Sequence, residues 1–234
     1  MGEHLPPFAD QLGPGRWALV SHGDWSGGLH GADPNEPGVY MPLTRGDLAG
    51  TKPAVCMLGH IHTPYDGPPI HYPGSPYPLD VNETGLRRFL IFDTENLTVT
   101  PQRVDSPRVY FNEALVMLPV ADEAAFLWAE LQKRIESWGL PEGWEDRVQV
   151  RLRIVGYASD RAAVDVVARE TMAAFAFYDG GPDLSDLNHA FDPDRIHIAR
   201  QVREWIDAQE WPAGAAEPTA EDITLQALRV IWGA

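Results

Sequence analysis

Three histidines in the first third of the chain are the residues whose types and spacing could do chemistry. His22, His60 and His62 stand at the ends of short apolar runs, with Gly23 and Gly59 beside them. In extended backbone alternate side chains point the same way, so the imidazoles of His60 and His62 can reach one small volume. Gly59, just before them, lets backbone approach a ligand closely. Neutral imidazole suits zinc, manganese, iron and nickel. His22 ends a different apolar run and joins the pair if the two strands neighbour each other in one sheet. A lone His-x-His is more often a surface or core pair than a metal site, so spacing alone leaves both readings open. A second group lies further on, where Val148, Val150, Leu152 and Ile154 alternate with Arg147, Gln149, Arg151 and Arg153. Arginine is a natural phosphate fork, which makes Arg147, Arg151 and Arg153 candidate substrate contacts. The alternative is a solvated strand face paired with nearby carboxylates.

The elements that must position these residues can be read from period and punctuation. Residues 1–15, rich in proline and glycine, read as an irregular lead-in. The apolar runs 16–21, 54–58 and 70–72 read as short buried strands, the first two leading into His22 and His60. Between them lies a loop over 23–42 dense in Gly, Pro, Asp and Asn, then a helical turn over 44–48. Residues 64–69 are turn-like. Residues 86–93 and 97–104 predict a hairpin turning at Thr94-Glu95-Asn96. Phe89, Leu90, Ile91 and Phe92 make its first strand apolar on both faces, so it should be interior. In the second half, 109–120 is strand-like and 122–138 has helical apolar spacing ending at Gly139. The half-buried strand with the arginine face follows, then a helix over 160–175, a loop over 178–193, a helix over 194–209 opened by Pro193, and a linker over 213–218. Thr219 with Asp222 resembles a capping box for a last amphipathic helix.

Composition narrows the classes. The chain of 234 residues has room to bury a real core, and no apolar run approaches the ~20 residues of a membrane span. Its start lacks the basic-then-apolar pattern of a secretory signal, and its one cysteine, Cys56, sits in an apolar run and reads as core filling. Both point to the cytoplasm. The formal charge of −16 argues against a nucleic-acid surface unless metals or a basic partner offset it.

Ser21-His22-Gly23-Asp24, Leu58-Gly59-His60-Ile61-His62 and Tyr72-Pro73-Gly74-Ser75-Pro76 together resemble the second half of the calcineurin-like metallophosphoesterases. The closest likeness is to the DNA-repair exonuclease branch, the SbcD type, where such a string is followed by an acidic residue (Glu83) and a basic-apolar strand (87–92). The likeness covers roughly residues 16 to 108. It continues more weakly through Gly156–Arg161 and Phe177–Pro182. The resemblance implies an α/β chain: the C-terminal half of a four-layer α-β-β-α metallophosphoesterase sandwich followed by a small α/β capping domain. The corresponding segments are 1–108, 109–212 for the cap, and 213–234 for linker and last helix.

The resemblance also implies two divalent metal ions, usually manganese. His22 and His60 would ligate one and His62 the other, with Gly74 and Ser75 forming the turn beside the metals and the phosphate path. The family's first-half motifs, an Asp-x-His, a bridging aspartate in Gly-Asp and a Gly-Asn-His, have no counterpart in this sequence. Asn188-His189 lies in the wrong half and reads as a surface loop. The expectation is therefore the C-terminal portion of a metal-dependent exonuclease or endonuclease of DNA repair, inactive without a separate N-terminal phosphoesterase segment that holds the catalytic residues. DNA and an SbcC-like coiled-coil ATPase are the implied partners. The alternatives are a non-catalytic DNA- or ATPase-binding module, or a phosphoesterase acting on a small phosphodiester.

Overall fold

The computed structural model describes residues 5–12, 17–26, 40–211 and 218–233. The chain divides into two compact units, Met1–Pro107 and Arg108–Ala234, both mixed α/β. Most of the long loop read over 23–42, and most of the linker over 213–218, lie outside the described residues.

The first unit is built on a four-stranded sheet in the order β1 (Ala18–His22), β2 (Val55–Gly59), β4 (Ile70–Tyr72) and β3 (Tyr65–Gly67). β1, β2 and β4 run parallel, and β3 returns antiparallel to β4. Residues 64–69, expected as a turn, thus include a short strand, because Tyr65 and Gly67 find cross-strand partners in Tyr72 and Ile70. Trp25, Leu43, Cys56, Leu58, Ile70 and Tyr72 form the core, joined by Leu5. The proline-rich lead-in is not wholly irregular: α1 spans Pro6–Leu12 and buries Ala9. Proline is tolerated in a first helical turn, where its missing N–H has no intrahelical partner to lose. The turn read over 44–48 is the start of α2 (Arg45–Thr51), opened by a capping box between Thr44 and Asp47.

β5 (Arg88–Asp93) and β6 (Thr98–Arg103) form the expected hairpin as a sheet of two strands. β5 is not interior, however. Phe89 and Ile91 are 45% and 50% exposed, while Leu90 and Phe92 are half-buried. A strand apolar on both faces is interior only where a layer covers each face, and here one face stays open.

The second unit is a parallel sheet. β8 (Val148–Ala158) lies between β7 (Val109–Met117) on one side and β9 (Ala176–Phe177) and β10 (Leu187–His189) on the other. Val148, Val150, Leu152 and Ile154 are all fully buried, as their alternation predicts. Phe111 of β7 stacks at 4.1 Å on Trp138, the C-cap of α3 (Glu123–Ser137), and α4 (Arg161–Thr171) lies against α3. On the opposite face Val116, Val155 and Tyr157 pack with Ala199 of α5 (Pro193–Asp207) and Leu228 of α6 (Ala220–Trp232). Helices cover both faces, the usual condition for an all-parallel sheet. The stretch read as a loop over 178–193 contains β10. Asn188 and His189 are therefore strand residues, paired with Tyr157 and Ala158.

Candidate metal centre

His22 and His60 meet because of strand register. β1 and β2 run parallel with His22 opposite Gly59, so His60 leaves the sheet one residue beyond His22's neighbour. The two rings lie 5.4 Å apart, edge to face. Gly59 makes the room: a Cβ there would sit 2.7 Å from His22 Nδ1. His60 is buried and holds a φ of +92°, an uncommon conformation for a non-glycine residue. Such strain persists only where the surroundings over-determine it, and it concentrates at functional sites.

Chain leaving β1 adds a carboxylate. Asp24 Oδ1 lies 3.7 Å from His60 Nε2. Asp24 is held by the Tyr40 N–H, which donates to Oδ2, and its own N–H donates to the Tyr40 carbonyl at 2.9 Å. The Tyr40 ring packs 5.2 Å from that of His60. Underneath, the Tyr72 hydroxyl donates to the Gly23 carbonyl at 2.7 Å, and Tyr72 is fully buried. Burial, with the charge of Asp24, pushes the phenol above its ordinary range. Tyr72→Phe should cost about 1–2 kcal/mol, since it leaves the Gly23 carbonyl without that donor. Urea unfolding measures this, and an unchanged stability would refute the bond's importance.

His62 is placed differently. Its Nδ1 lies 2.7 Å from Glu83 Oε1. Glu83 Oε2 accepts from the Ser75 hydroxyl at 2.5 Å and from the Leu79 N–H at 3.1 Å. Burial raises the pKa of Glu83, but the hydrogen bonds from Ser75, Leu79 and His62 outweigh it and hold the carboxyl below its ordinary value. The Gly74-Ser75 turn is tied to the His62 backbone, Ser75 N–H donating to the His62 carbonyl at 3.1 Å. Arg87, 2% exposed, donates through Nε to the Ser75 carbonyl at 2.8 Å and through its terminal nitrogens to the carbonyls of His62 (2.6 Å) and Thr84 (3.2 Å). The buried Ser75 hydroxyl thus serves Glu83 and receives Arg87. A further histidine, His71, pairs with Asp66 at 2.8 Å, and Arg88 joins them from β5. Asp66 and His71 face each other across β3 and β4, and this is the cross-strand pairing that braces a sheet.

Histidine nitrogens and the Asp24 carboxylate are the right donors for a transition metal, and the His62–Glu83 pair has the form of a ligand with its outer-shell carboxylate. The described residues fit one corner of a centre. Among the described residues no three of His, Cys, Asp and Glu are gathered so as to hold an ion. No protein-family model matches the chain, and no curated protein matches it either.

In the second unit Arg151 and Arg153 stand on β8 and are paired with carboxylates, whereas Arg147, read as a strand residue, ends the short helical turn Glu145–Arg147 that precedes β8. Arg151 Nε bonds Asp179 at 2.9 Å, with its guanidinium 4.8 Å from the Tyr178 ring centre. Arg153 pairs with Asp186 and lies 4.0 Å from Asp183. Arg147 sits 4.4 Å over the Trp144 ring. For Arg151 and Arg153 this is the carboxylate-paired arrangement that the acid surplus allowed. In the sequence reading Asp24, Glu83 and Arg87 enter only as members of the family-like string, without a part in the site, and Tyr40 does not enter at all. The part of Asp24 could have been read from its place two residues after His22, and the Glu83–Arg87 contact from their Glu-x-x-x-Arg spacing.

Proposed function

We propose that this chain is the C-terminal portion of a metal-dependent DNA exonuclease or endonuclease that hydrolyses phosphodiester bonds in DNA repair, built as half of a calcineurin-like sandwich. The observation that carries this reading is the meeting of the His22 and His60 rings at the ends of two adjacent parallel strands, with His60 in strained backbone and Asp24 3.7 Å from its imidazole. His22 and His60 would hold one divalent ion with Asp24 beside them, and His62 would serve a second. When bound, such an ion neutralises charge developing on the phosphoryl oxygens and lowers the pKa of a water. The chain's own residues orient the ligands: Gly59 admits the His22 ring, Asp24 stands by the His60 imidazole, and Glu83 faces His62. The remaining donors come from a further phosphoesterase segment, on the same or a separate polypeptide. A coiled-coil ATPase partner would be met by the outer side of α6, where Val230 is 81% exposed.

The formal charge of −16 favours a second reading, a small phosphodiester as substrate in place of DNA. No helix among the described residues is long and apolar enough to cross a membrane, and cytoplasmic action is the matching proposal. The test is co-expression with a segment bearing Asp-x-His, Gly-Asp and Gly-Asn-His motifs, then manganese-dependent hydrolysis of linear duplex and of a small chromogenic phosphodiester. The chain alone should be inactive, the pair active, and His60→Ala should lower the rate of the pair at least 100-fold. Hydrolysis by the chain alone, or an active His60→Ala pair, would overturn the proposal.

A further inference from the structure

We propose that Glu83 is the positioning residue of His62, locking its imidazole as the Nδ1–H tautomer so that Nε2 carries the lone pair presented to a ligand. The argument starts from what a carboxylate can do. An ionised carboxylate only accepts hydrogen bonds, so a nitrogen 2.7 Å from Glu83 Oε1 must be the donor. Glu83 has little freedom to move away: its side chain is 10% exposed, and its other oxygen is taken by the Ser75 hydroxyl and the Leu79 N–H. Arg87 then fixes both ends of the relay. It holds the Ser75 carbonyl and hydroxyl on one side and the His62 carbonyl on the other, with its guanidinium 3.7 Å from Glu83. The backbone and the ring of His62 are therefore specified by one buried network, formed from residues 21 and 25 positions away. A surface ion pair would need none of this support. Its oxygens would be shared with solvent, whereas here each oxygen of the acid has a protein donor.

The consequence for a metal rests on the functional reading above, but the tautomer does not. Outer-shell partners of metal-bound histidines set the tautomer, and losing one typically weakens metal binding by 10–100-fold. Long-range proton–nitrogen correlation spectra of the metal-free chain report the tautomer directly, with His62→Asn assigning the signals. The expected result is a protonated Nδ1 in the wild type. In Glu83→Gln, whose amide can donate as well as accept, this preference should collapse or reverse, while the dispersed amide spectrum confirms a folded chain. An Nε2–H tautomer in the wild type overturns the proposal without any variant having to fold, and an unchanged Nδ1–H in Glu83→Gln overturns it too. Calorimetric titration of manganese into the chain paired with the phosphoesterase segment separates the two claims. A 10–100-fold weaker affinity in Glu83→Gln supports both. Failure of the wild-type pair to take up manganese, with the Nδ1–H tautomer in place, overturns the metal reading and leaves the positioning role supported.

Discussion

Arg87→Ala is expected to destabilise the first unit by about 3–5 kcal/mol, the range for stripping one partner from a buried charged network. The guanidinium is almost wholly enclosed and donates to three carbonyls and a hydroxyl, so its removal takes a donor from Ser75, His62 and Thr84 at once. Burial lowers the pKa of Arg87 while Glu83 beside it acts to raise it, and burial prevails, a sign that the desolvation is only partly compensated. Lysine keeps the charge but offers one compact head in place of a planar fork. Arg87→Lys should therefore recover less than half of the loss. Amide exchange in β2 and β4 against urea measures both variants, and an alanine variant within 1 kcal/mol of wild type would refute the network's role.

Gly156→Ala should be the most damaging small substitution in the second unit. Gly156 lies in β8 opposite Met117 of β7, with φ at +107°, and its N–H donates to the Asp186 carbonyl at 3.1 Å. A Cβ at this position would stand 2.5 Å from the Met117 carbonyl oxygen. That oxygen belongs to paired backbone and cannot swing aside as a side-chain tip could. Strain at such a conformation costs about 1–3 kcal/mol and forced repacking a similar amount. A loss of about 3 kcal/mol is expected. Thermal unfolding followed by circular dichroism decides it, and a wild-type midpoint would show that the strand can yield.

Local signals made much of the fold legible. The caps at Asp122, Asp192 and Thr219 are set by residues two or three positions away, so the helix starts could be read from short stretches. The alternation of 148–154 declared β8 and its buried face. What failed depended on distant partners. Asn188 and His189 form a strand because Tyr157 and Ala158 lie beside them, and no propensity of their own announces it. The β5 ribbon went wrong for the converse reason, since apolar side chains on both faces say nothing of whether two layers exist to cover them. At the candidate site the meeting of His22 and His60 followed once β1 and β2 were neighbours. The link from His62 to Glu83 did not, because a 21-residue connection through two turns leaves no periodic trace.

Cys56 gives the first unit an internal clock. It is the chain's one cysteine, fully enclosed in β2 between Leu19 and Ile70, and burial pushes its thiol up to about 12. Thiolate is the reactive form, so an alkylating reagent at neutral pH reaches it only when the strands part. Its modification rate counts openings of the unit that holds the histidines, and it is silent to events in the second unit, which has no thiol. Any ligand that binds the closed histidine site must slow that clock in proportion to its occupancy. The native, unlabelled chain can thus be screened for what it binds without first knowing what it catalyses.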